Sequence, residues 1–83
     1  MTLNNENKEE LELGFLNRKA KFFFDSKTKV HLKLKSGFFK NGYITEIGTD
    51  FFFLDDLVRG NVVVFFLEVL DIEAYMERQG ENK

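Results

Sequence analysis

The sequence predicts a mainly-β domain, in which one N-terminal helix is followed by five short, strongly bent strands that curl into a small barrel. Three observations predict it. Val30-His31-Leu32-Lys33-Leu34 alternates apolar and polar residues, as a half-buried strand does. Phe39 and Ile44 lie five residues apart, and Ile44 and Ile47 three. Both intervals are odd, so a regular strand cannot place all three on one face. Gly42 stands where a bend or bulge would relieve that conflict.

The elements follow in order. Residues 1–8 read as a frayed, polar N-terminus. A helix is expected over about 9–21, opened by Asn7 and Glu10 in a capping-box spacing. Glu9, Glu10 and Glu12 suit its positive end, and Arg18, Lys19 and Lys21 the negative one. Leu13, Leu16, Ala20 and Phe23 form one apolar stripe; Leu11, Phe15 and Phe22 form a second, nearly opposite. Two stripes suit a helix that touches its own barrel with one and a neighbouring subunit with the other. The alternative is a helix ending near Lys21 with Phe22 to Phe24 already extended.

The first strand is expected from Lys29 to Lys35, with Val30, Leu32 and Leu34 inward and His31, Lys33 and Lys35 outward. His31 then reads as a surface histidine. The bent second strand leads to a turn at Gly48-Thr49-Asp50. Phe51 to Val58 is the third strand, Gly60-Asn61 a two-residue hairpin signal, and Val62 to Leu67 the fourth strand. The six unbroken apolar residues of that fourth strand exceed what so small a domain can cover, so its edge calls for another copy. Leu70 to Tyr75 is a short last strand, and residues 76–83 are a polar tail. The barrel spans about 29–75 and the single domain 9–75.

At 83 residues the chain buries a modest core and benefits from a staple or a partner. It has no cysteine and one histidine, so disulfides are excluded and no zinc or iron site is recognisable. No cofactor is expected. There is no apolar run of membrane-spanning length and no signal peptide, which predicts a cytoplasmic protein. Catalysis has no support either. Ser26 and Ser36 sit in turn contexts, and Asp55 and Asp56, adjacent in a strand, point to opposite faces.

Net charge is −2, yet Arg18, Lys19, Lys21, Lys27, Lys29, Lys33, Lys35 and Lys40 share their segment with one acid, Asp25. Such asymmetry suits an anion-binding face, or simply a solvated helix end and strand.

Val30, Leu32, Leu34, Lys35, Gly37, Phe39, Gly42, Ile44 and Asp50 together resemble the first motif of the Sm/LSm family, which includes bacterial Hfq and archaeal Sm-like proteins. The resemblance covers about residues 9–75 and implies the SH3-like Sm barrel. It also implies a homo-oligomeric ring, a hexamer or heptamer, in which the fourth strand of one copy pairs with the fifth of the next. The implied ligand is single-stranded RNA, uridine- or adenine-rich. By resemblance Phe51 is the base-stacking residue, with Asp50 beside it. Arg18, Lys19 and Lys21 offer a positive helix-side surface. Arg59-Gly60-Asn61 looks like the family's second, basic motif, and would sit correctly if Val62 to Leu67 were the last strand and Asp56 to Val58 a very short fourth one, yet the strand count puts Arg59 in the hairpin before strand four. Glu68 then occupies the second-motif position. The reading is an RNA-binding ring without catalysis; the alternative is a barrel used only for protein–protein assembly. An unrelated SH3-like barrel, monomeric rather than a ring, is the third reading.

Overall fold

The structure, a computed structural model, describes residues 5–76, with side chains from residue 11 onward. Residues 1–4 of the expected frayed segment and 77–83 of the expected tail lie outside them. A single helix, α1 (Asn5–Asp25), precedes strands β1 (Val30–Leu34), β2 (Phe39–Ile47), β3 (Phe51–Asp56), β4 (Gly60–Phe65) and β5 (Val69–Ala74). A 3-10 turn, Phe66–Glu68, joins β4 to β5.

The helix is longer than expected at both ends. Its first turn starts at Asn5, which puts Asn7 inside the helix and not at its cap. Phe22 to Phe24 are helical, not extended. The helix stops where Lys27 takes a left-handed conformation (φ 56°). The Thr28 amide then reaches the Phe23 carbonyl at 3.1 Å and the Lys27 amide the Phe24 carbonyl at 3.2 Å, which satisfies the last carbonyls. Glycine usually occupies that position, so a lysine there hides the stop.

One face of α1 buries Leu16 and Ala20, with Leu13 and Phe23 packed beside them. These sit on a core of Val30, Leu32, Ile44, Phe52, Leu54, Val64, Phe66, Val69 and Ile72. The second stripe, Leu11, Phe15 and Phe22, is exposed.

The strands form one antiparallel sheet in the order β4-β3-β2-β1-β5. The two ends of that order, β4 and β5, share no ladder, so each leaves an open edge. The parity conflict on β2 is resolved by two separate devices. The register slips between Ile44 and Glu46, so Thr45 is the extra residue and Ile44 and Ile47 both turn inward. Gly42 serves another purpose: a Cβ there would collide with the Asp55 carbonyl of β3. Phe39 needs no device, because it faces solvent.

The β3–β4 hairpin also differs from expectation. Gly60-Asn61 is not its loop. The loop is Leu57-Val58-Arg59, and Gly60 opens β4 opposite Asp56 with φ 81°. The sixfold apolar run is divided accordingly: Val62 to Phe65 are strand, while Phe66 and Leu67 enter the 3-10 turn. Val64 and Phe66 point into the core; Val63, Phe65 and Leu67 point out.

Candidate nucleic-acid interface

The residues singled out by sequence fall in three separate places. Asp50 and Arg18 meet at one groove, lined also by Leu13, Asn17 and the Ile47–Gly48 corner. Asp50 is exposed there, and its carbonyl accepts the Phe66 amide at 2.9 Å, which ties the β2–β3 turn to the 3-10 turn. Phe51 is half-buried. Its ring lies edge-on to Phe53 (5.6 Å) and to Phe65 (6.3 Å) and over Gly48, where a Cβ would come within 2.7 Å of it. Glu68 lines the adjoining groove with Leu13, Asp50 and Leu67.

Lys19 is engaged within the subunit. Its ammonium lies 3.0 Å from Asp71 Oδ1 and 5.5 Å from the Phe15 ring centre. Burial works to raise the Asp71 pKa, but the hydrogen bonds from Lys19 and from the Ile72 amide outweigh it and hold the carboxyl below its ordinary value. Lys33 is likewise paired, with Glu73 at 3.2 Å. Lys21 is exposed on the helix.

Arg59 belongs to the third place, and here the structure assembles more than the sequence suggested. The tight turn after β1 is closed by the Gly37 amide on the Leu34 carbonyl at 2.9 Å, with Gly37 at φ 99°. It delivers Phe38 and Phe39 to the surface 73% and 59% exposed. Phe39 stacks on the His31 ring, centroids 4.9 Å apart and planes 24° from parallel. His31 Nδ1 shares a 2.6 Å hydrogen bond with Asn41 Oδ1, so the ring that backs Phe39 is itself held. His31 is thus a supporting residue and not merely a surface one.

The β3–β4 loop closes the other side. Asp56 Oδ1 accepts the Val58 amide at 2.7 Å and the Arg59 amide at 3.0 Å. Those hydrogen bonds, the Arg59 amide first, lower its pKa against a burial penalty, and Lys40 and Arg59 lower it further by charge. The Leu57 amide reaches the Asn41 carbonyl at 3.0 Å, fastening the loop to β2. Phe38, Phe39, Lys40, Val58 and Arg59 then surround a cleft of about 340 Å³, with Leu34 and Asp56 at its floor. Two exposed aromatic rings beside two cations make a surface suited to flat, anionic ligands. Rings stack on bases, and cations meet phosphates.

Sequence reasoning missed Phe38 and Phe39. The signal was the odd interval between Phe39 and Ile44, which reads equally well as Phe39 facing out. Among the described residues no group of three or more His, Asp or Glu is placed to hold a metal ion, and no helix is long and apolar enough to cross a membrane.

A helix followed by a five-stranded, bent antiparallel sheet whose fourth and fifth strands are left as edges is the Sm-like fold of the Hfq type. Among solved structures, the chain matches a crystal structure of the pleiotropic translational regulator Hfq with a TM-score of 0.64. The match covers 72% of this chain and 98% of that one at 15% sequence identity, a likeness of fold. No protein-family profile and no curated protein matches the sequence.

Proposed function

We propose that copies of this chain join edge to edge into a ring that binds single-stranded RNA and catalyses no reaction. Bases stack on Phe38 and Phe39, and phosphates meet Lys40 and Arg59. The observation that carries this reading is the pair of largely exposed phenylalanines set beside two cations on a braced surface. Phenylalanine rings left mostly in solvent contribute little to the fold itself. The structural neighbour, a translational regulator, is consistent with RNA as the ligand, and the cytoplasm is the compartment we assign. Repetition around a ring of six or seven copies, the number implied by the family resemblance, would make weak individual contacts act together.

The test is equilibrium binding of labelled oligo(A) and oligo(U) across a salt series. Binding should weaken steadily as salt rises, because phosphate contacts release counterions. Phe39→Ala or Phe38→Ala should weaken it by about 1–3 kcal/mol per lost stacking contact. Arg59→Ala should flatten the salt dependence with little effect on base preference. No binding at low salt would remove the RNA reading, and unchanged affinity in both phenylalanine variants would remove Phe38 and Phe39 as its stacking site.

A protein-only assembly is the second reading, favoured by Asp50 and Glu68. These acids line the groove between helix and 3-10 turn, next to Phe51, where a phosphate would be repelled. An intact oligomer that binds neither oligonucleotide would establish it.

A further inference from the structure

We propose that the outer face of α1 is a self-association seam, on which the helices of two copies pack antiparallel. The seam consists of Leu11, Phe15, Arg18 and Phe22. Their spacing of four, three and four residues is that of a two-helix packing seam, and at 100° per residue they fall within about 60° of one another. The opposite stripe packs on the barrel, while this one stays largely in solvent and, among the described residues, touches its own subunit only through the Lys19–Phe15 and Phe22–Phe23 contacts and a cleft that Leu11 and Phe15 border beside Val69 and Leu70. Leu11 is 64% exposed, Phe15 53% and Phe22 64%. Three large apolar side chains on one exposed helix face, with Arg18 between Phe15 and Phe22, form a surface of the kind that marks a contact.

Charge selects the second copy and its direction. A parallel pair would set Arg18 against Arg18 of the second copy inside an apolar contact, which like charge and desolvation both oppose. An antiparallel pair sets Leu11 against Phe22 of the second copy and Arg18 against Phe15. The arginine then meets an aromatic face, a favourable contact that occurs twice by symmetry. The contact is self-complementary, the property a two-fold interface requires.

This pairing does not use the β4 and β5 edges. Where those edges form a ring, the helices join two rings face to face; where they do not, the helices alone give a dimer. Native mass spectrometry therefore separates the two ideas. The wild-type particle should hold an even number of chains, and Phe22→Glu should halve it: a double ring to a single ring, or a dimer to a monomer. Circular dichroism checks that the variant stays folded, as expected for a side chain already in solvent.

Direction is tested by cysteine cross-linking, which the absence of native cysteine makes clean. Chains carrying Leu11→Cys mixed with chains carrying Phe22→Cys should link under mild oxidation, while either variant alone should not. A particle mass unmoved by Phe22→Glu would overturn the seam. Cross-linking of Leu11→Cys with itself would overturn its antiparallel direction.

Discussion

Asp56 shows how a single side chain organises the candidate interface. Among the described residues it is the one buried polar or charged residue, 9% exposed, and two of the three amides of the β3–β4 loop, those of Val58 and Arg59, donate to it. Asp56→Ala leaves the Val58 and Arg59 amides without their acceptor, and we expect a loss of about 1–3 kcal/mol in denaturant unfolding. The pH dependence follows from the lowered pKa. The folded-state value lies below the unfolded one, so this contribution is fully present above the ordinary aspartate range near 4 and is lost as pH falls through the folded value. Protection of the Val58 and Arg59 amides from exchange, measured against their intrinsic rates at each pH, should fall on acidification before the barrel unfolds. In the sequence, Asp56 was legible only as half of an Asp55-Asp56 pair that points both ways. Its acceptor role needs the loop to start at Leu57, which the Gly-Asn dipeptide obscured.

The elements themselves were largely readable, because alternation and parity are local. β1 falls within the expected segment, with Val30 and Leu32 fully buried. The two stripes of α1 separate into one buried and one exposed. Boundaries were harder, since they depend on single residues in uncommon conformations: Lys27 ends the helix and Gly60 opens β4, both at positive φ. On β2 parity demanded an irregularity but could not say where. Thr45 carries it, while Gly42 allows β2 and β3 to approach closely. Deleting Thr45 should restore a regular ladder and turn one half of β2 over, moving Ile47 or Ile44 into solvent. The expected result is a strongly destabilised or insoluble chain, read by circular dichroism and thermal unfolding. A silent deletion would mean that the bulge has no part in curving the sheet. The candidate interface was less legible than the elements. It joins the β1–β2 turn to the β3–β4 loop, segments far apart in sequence that the pairing of β2 with β1 and β3 sets at one end of the sheet.

For the whole molecule the open edges dominate. β4 exposes Val63 and Phe65, Leu67 follows in the 3-10 turn, and β5 exposes Leu70. An unpaired edge with such side chains is a hazard unless something covers it. A different edge at each end of one sheet suits head-to-tail association. We expect Val63→Lys to reduce the particle to no more than a pair of chains in native mass spectrometry. Thermal stability should fall with it, because in the proposed assembly so small a domain would draw part of its stability from its neighbours.

The 3-10 turn that spans Phe66–Glu68 links the two edge strands and is pinned on both sides, by the Phe66 amide on the Asp50 carbonyl and by the Glu68 carbonyl, which accepts the Lys35 amide at 2.9 Å. In a head-to-tail assembly, the angle this short bridge imposes decides how wide an arc each protomer subtends. Circumference would then be encoded in three amino acids, and a looser bridge would yield open spirals in place of a closed circle.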